Sequence, residues 1–220
     1  MKRLKKAYAL METQHGVAGR QELLAECGLT RGQLDNLLRR GRLESAGRGV
    51  VRAPGSPRSP QQRAMAAVLR CPPGSRLTGE FVAAVYGMDG FTLASAPVRV
   101  LIPPATEVSN VDFHTSRNPL PGRFEAIVDG LPAVTPARAL VEAESATGAQ
   151  LRSGFDSGRW AGLLPVERLS TCIDAFGDHP GALRLCAAST AASSTWRAKA
   201  SVRPGRSSRS YDRAPNPRSG

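Results

Sequence analysis

Gly19-Arg-Gln-Glu-Leu-Leu-Ala-Glu-Cys-Gly28-Leu-Thr30-Arg-Gly-Gln-Leu-Asp-Asn-Leu-Leu-Arg-Arg40-Gly-Arg-Leu43 is the stretch whose reading decides the fold. Leu23, Leu24 and Cys27 form an apolar stripe at helical spacing. Gly28 stops that helix, and Thr30 offers a hydroxyl to the free amides of the next one. In the second helix Leu34, Leu37 and Leu38 share a face, while Gly32, Gln33, Asn36, Arg39 and Arg40 turn away from it, with Arg31 at the start. Two short helices joined by a tight Gly-containing turn make a helix-turn-helix, whose second helix enters the DNA major groove. The outward set suits that role. Arginine bonds guanine edges bidentately, asparagine and glutamine do the same with adenine, and Gly32 permits close approach. Gly47-Arg48-Gly49-Val50-Val51-Arg52 follows as a β-ribbon with a basic tip, a wing whose Arg48 and Arg52 are expected to meet phosphates. The stretch predicts a winged DNA-binding domain over residues 1–53, and double-stranded DNA is the expected partner.

Charge supports the same placement. The 220-residue chain carries a net +12. Residues 1–53 hold 11 Lys/Arg against 5 Asp/Glu, residues 54–186 hold 12 against 12, and residues 187–220 hold 7 against 1. A neutral middle between two basic ends points to polyanion contact at the ends, not to a generally basic protein. Cys27, Cys71, Cys172 and Cys186 show no Cys-x-x-Cys pair, so reduced buried thiols are expected, with no metal and no cofactor. No apolar run approaches the roughly 20 residues that span a bilayer, and no signal peptide is evident. The expectation is a cytoplasmic protein with no membrane association.

Ahead of the motif, Leu4, Ala7, Tyr8 and Met11 form one face of a first helix that His15-Gly16 ends, with His15 expected at its C-terminus where the dipole favours it. Val17 is placed in a short strand, and Gly19 is the cap of the next helix. Residues 54–60 read as a linker, with Ser59-Pro60 starting an amphipathic Ala-rich helix to about Arg70 and Gln62 at its capping-box position. Thr78 caps a helix carrying Phe81, Val82, Val85 and Tyr86. Strands are predicted over Pro97–Ile102, Val111–Thr115 and Phe124–Val128, with a turn at Asp129-Gly130. Thr135-Pro136 begins a helix, and two more are expected over Leu151–Trp160 and Pro165–Phe176. Residues 61–186 are therefore a mixed α+β domain, and the Ser-, Arg- and Pro-rich residues 187–220 are expected to be a disordered basic tail.

With these residues in place, the chain resembles the AbiEi-type antitoxin regulators in their actinobacterial form, from about His15 to Leu185. The resemblance rests on His15-Gly16-Val17, Gly28-Leu29-Thr30-Arg31, Arg40-Gly41-Arg42-Leu43 and Arg48-Gly49-Val50. It continues through Val111-Asp112-Phe113-His114-Thr115-Ser116-Arg117, His179-Pro180-Gly181 and, most specifically, Asp129-Gly130-Leu131-Pro132-Ala133-Val134-Thr135-Pro136-Ala137-Arg138-Ala139-Leu140. It implies an operator-binding winged domain and an antitoxin-type second domain. It also implies repression of the protein's own operon and a cognate toxin of nucleotidyltransferase type as a partner. Thr78-Gly79-Glu80 stands where a Ser-His-Arg-like sequence is frequent in the family, and Val141-Glu142-Ala143 where Leu-Asp-Leu is. Many relatives continue into an endonuclease-like domain. That chemistry needs clustered carboxylates around a metal, and Asp212 is the sole acid after Ala187, so no nuclease is expected here.

No catalytic residue is predicted. The chain lacks Gly-x-Ser-x-Gly, a phosphate-binding Gly-rich loop and His-Glu-x-x-His. His114 with Arg117, just after a strand, is a candidate for binding a phosphate or nucleotide, set against an ordinary strand-end histidine and a solvated arginine. Arg138 and Glu142, four residues apart, are expected to pair on a helix for a few tenths of a kcal/mol. Two functions survive: a DNA-binding transcriptional regulator of the antitoxin kind, and a protein-interaction module in which the second domain grips a partner and the winged part is a scaffold.

Overall fold

The computed structural model describes residues 2–104, 106–108, 112–117, 122–177 and 179–190. Helix α1 (Lys2–Thr13) leads into β1 (Val17–Gly19), α2 (Arg20–Ala25) and α3 (Arg31–Arg39), and then the hairpin β2 (Glu44–Gly47) and β3 (Val50–Arg52). The three strands form an antiparallel sheet in the order β1-β3-β2, the arrangement of a winged helix-turn-helix. Adjacent residues of a strand face opposite sides. Ala18 and Val51 therefore meet Ala7, Met11, Leu23, Cys27, Leu34 and Leu43 on one side of the sheet. Val17 and Val50 face the other side and join the core of the next segment. His15 is not the helical residue the sequence suggested. It adopts a left-handed conformation at φ 55, with Gly16 at φ 83, and the Gly16 amide returns to Met11 O at 2.7 Å to close the helix end.

Helix α4 (Pro60–Leu69) starts at Ser59, whose hydroxyl accepts from the Gln62 amide at 3.0 Å. The expected amphipathic helix is buried nearly all round, from Ala64 through Val68. It lies between the back of the three-stranded sheet and a second sheet, and small Ala side chains allow both to approach. Gln62, expected to close a capping box, instead donates across to His15 O and Ser56 Oγ, each at 3.0 Å. The His15 ring is bonded to Asp129 O at 2.7 Å, so these hydrogen bonds join the winged part to the second half of the chain. Residues 54–60 link two stretches of chain, yet one apolar cluster takes Val17 and Val50 from before them and residues between Ala64 and Ala139 from after them.

Beyond α4 come β4 (Arg76–Thr78), α5 (Gly79–Val85), β5 (Arg99–Leu101), β6 (His114–Ser116), β7 (Glu125–Val128) and β8 (Leu131–Val134). They form a mixed sheet in the order β6-β5-β4-β8-β7. The β7–β8 hairpin turns at Asp129-Gly130, both with positive φ as such a tight turn requires. Helices α6 (Pro136–Val141), α7 (Gly148–Trp160), α8 (Val166–Phe176) and α9 (Pro180–Thr190) pack with α5 around Leu140, Leu151, Phe155, Leu169, Cys172 and Leu185. The α+β class stands. Strands β4 and β8 and helix α9 are additions to the elements predicted from sequence. Ala187–Thr190, assigned to a disordered tail, continue α9, because Ala188 and Ser189 extend the buried stripe of Ala182 and Leu185 with small side chains. Residues 191–220, and Val111 at the start of the strand predicted over Val111–Thr115, lie outside the described residues.

Candidate nucleic-acid interface

Thr30 starts α3 as its sequence suggested: its hydroxyl accepts from the Gln33 amide at 3.2 Å and the Gln33 carboxamide oxygen accepts from the Thr30 amide at 3.1 Å. Leu34 is 1% exposed and anchors the helix, with Leu37 and Leu38 half-buried beside it. Gly32, Asn36, Arg39 and Arg40 follow one another at helical spacing on the outer face. Arg31, Gly32, Arg39 and Arg40 are exposed and Asn36 is half-buried. No ion pair engages Arg31, Arg39 or Arg40 among the described residues. Nothing lies within 4 Å of where a Gly32 Cβ would stand, which leaves the middle of this face open.

Gln33 is a different case. The oxygen it would need to recognise adenine already serves the helix cap, and Arg3 of α1 donates to it at 3.3 Å. Reading a base with Gln33 means opening the cap. The same hydrogen bond brings Arg3 beside the start of α3, adding an exposed cation that a separation of 30 residues hid from sequence inspection. Asp35 pairs with Arg20 of α2 on the surface, which ties the two motif helices together but contributes little at that exposure.

The wing tip is Arg48-Gly49, with Gly49 at φ 75 and its carbonyl held by the Arg20 amide at 2.8 Å. Arg48 is exposed and has no ion-pair partner among the described residues. Arg52 departs from expectation. It sits at the base of the hairpin, its side chain 13% exposed, and is ion-paired with Glu44 across the sheet. Arg52 lines a cleft behind the wing instead of the tip. The period-2 alternation of β3 explains this: Val50 and Arg52 point together toward α4.

His114 and Arg117 are separated. His114 lines that same cleft, whereas Arg117 donates to Thr106 O at 3.0 Å. The Arg138–Glu142 pair exists, but it is not a surface pair. The two side chains are 1% and 4% exposed, and Thr78 donates to the second carboxylate oxygen. None of the four cysteines is in a disulfide; burial pushes Cys71 up to about 11 and Cys172 up to about 12. Among the described residues no three His, Cys, Asp or Glu side chains are grouped to hold a metal, and no helix is long and apolar enough to cross a membrane.

No curated protein matches the sequence. Among solved structures, the crystal structure of the Rv2827c protein from Mycobacterium tuberculosis is similar, with a TM-score of 0.51 at 17% identity over 86% of this chain and 76% of that one. At that identity the likeness is one of fold. Residues 6–54, which hold most of α1, the two motif helices and the wing, match the family described as transcriptional regulator, AbiEi antitoxin, and over that segment the family resemblance carried by the sequence stands.

Proposed function

We propose that this chain is a DNA-binding transcriptional regulator that works in the cytoplasm, represses its own operon and counters a nucleotidyltransferase-like toxin. In this reading residues 1–53 are the DNA-reading unit and residues 61–186 the antitoxin-type domain. The observation that carries it is the outer face of α3, where Asn36, Arg39 and Arg40 stand opposite buried Leu34. Arg31 and Gly32 border that face, and the exposed Arg48 of the wing adds a phosphate contact. The family match over residues 6–54 supports the regulator role. Mobility-shift titration with the protein's own promoter tests it. Replacing Asn36 and Arg40 by Ala is expected to cost about 1–3 kcal/mol for each base edge left unbonded. Unchanged operator affinity in the double variant refutes the reading.

The protein-interaction reading has its own support in Trp160, 94% exposed at the end of α7. Exposed tryptophans are frequent anchors of protein interfaces. Co-purification with the neighbouring gene product, weakened by Trp160→Ala, is the expected outcome. Equal recovery with that variant argues against a partner on this surface.

A further inference from the structure

We propose that the cleft behind the wing binds a small phosphorylated ligand with an apolar part, of mononucleotide character. The cleft has a volume of about 710 Å³, inside the range of roughly 300–1,000 Å³ that small-molecule sites occupy. Ala66 and Ala67 of α4 lie beneath it. Ser45 and Ala46 of β2 form one side, and His114, at the start of β6, lies on the other. Both β2 and β6 are edge strands of their sheets among the described residues, so the cleft lies between two sheet edges.

Four arginines line it, Arg52, Arg58, Arg63 and Arg70, against one acidic residue, Asp112, among the described residues. They divide into two kinds. Arg52 is tied to Glu44, and Arg70 is tied to Asp112 and stacked 5.2 Å over Phe113, so both are fixed walls. Arg58 and Arg63 are exposed and have no ion-pair partner among the described residues. An arginine fork meets phosphate oxygens bidentately, and low-dielectric walls concentrate the field of like charges at such a concavity. The remaining lining is largely Ala, Pro and Val, which gives the non-phosphate part of a ligand an apolar surface to cover. The cleft lies on the α4 side of the three-stranded sheet, away from α3: Val17 lines it and shares that buried side with Val50, whereas Ala18 and Val51 pack with the motif helices. A duplex held on α3 therefore does not fill it, and the site is independent of whether α3 binds DNA.

Calorimetric titration of the full chain with inorganic pyrophosphate, AMP and ATP tests this. One saturable site is expected for at least one of the three. Arg58→Ala with Arg63→Ala is expected to weaken it about tenfold to a hundredfold, the worth of the missing charge-assisted hydrogen bonds. His114→Ala gives a smaller, independent loss. Arg152→Ala, on the exposed face of α7, leaves it unchanged, and melting without ligand checks that each variant is folded. Absence of saturable binding by all three probes overturns the proposal. So does an equal loss in Arg152→Ala, which marks general charge attraction. A double variant that loses affinity for duplex DNA or for an acidic peptide, with nucleotide heats unaltered, overturns it too.

Discussion

Replacing Glu142 with Leu takes from the buried Arg138 guanidinium the carboxylate it is paired with. The Glu142 carboxylate accepts at Oε1 from Nε and Nη2 of Arg138, both at 3.2 Å, and at Oε2 from the Thr78 hydroxyl. With the two side chains 1% and 4% exposed, water cannot replace those bonds. Had this been a surface pair on a helix, its removal would cost about 0.2–0.5 kcal/mol. Breaking a buried pair by removing one partner costs about 3–5 kcal/mol, because the remaining buried charge loses the opposite charge that offset it. At roughly 2–4 °C per kcal/mol for a chain of this size, the melting temperature should fall by about 10 °C. The double variant Arg138→Met with Glu142→Leu removes both charges at similar volume and should recover most of that loss. Urea unfolding of the two single variants and the double variant closes a thermodynamic cycle. Losses below about 1 kcal/mol in the single variants, or strict additivity in the double, would refute the buried-pair reasoning.

Arg48→Ala should weaken operator and unrelated DNA equally and lower the salt slope by about 1 in magnitude, measured by titration at several salt concentrations. A loss confined to one sequence contradicts a phosphate contact. A Cβ on Gly181 would run into the Val141 carbonyl oxygen, so Gly181→Ala should push α9 off α6 and destabilise by about 1–3 kcal/mol, and an unchanged melting curve argues against that close approach. Burial raises Cys71 to about 11 and Cys172 to about 12 from an ordinary value of 9.0. Below 9.0 both states keep these protons, so no stability is lost there. Above it the unfolded chain ionises first, and stability should drain away as pH rises toward 11 and 12. Denaturant midpoints across that window, less steep for Cys172→Ala than for the parent chain, are the check; identical slopes refute it.

The motif was legible because its signals are local. Leu spacing set the buried side of α3, Thr30 set its start, and Gly28 and Gly16 set the ends of the elements before them. The features that escaped depend on distant partners. Strand β8 contains Pro132, which argues against a central strand, and only its pairings with β4 and β7 reveal it as one. The last turn of α9 buries Ala188 and Ser189, too small to register as an apolar stripe. Gln33 looked available for a base, but its carboxamide belongs to the cap and to Arg3. Thr78-Gly79-Glu80 and Val141-Glu142-Ala143, two separate departures from the family pattern, prove to be neighbours: Thr78 bonds Glu142 across 64 residues, and a Cβ on Gly79 would stand 3.1 Å from Glu142 O. A Thr–Glu pair occupies one place in the core, and neither half explains itself alone.

The three-stranded sheet is covered on both faces, by α1–α3 in front and α4 behind. A label on α3 and another on α7 should then report a single rotational correlation time, that of the whole body, instead of the faster tumbling of a tethered 53-residue unit. In the proposed complex with a duplex, such a body would not swing. If α3 enters the groove as proposed, its azimuth also fixes the side of the helix axis on which residues 61–186 ride, so a protein seated there would inherit a set bearing relative to the bases.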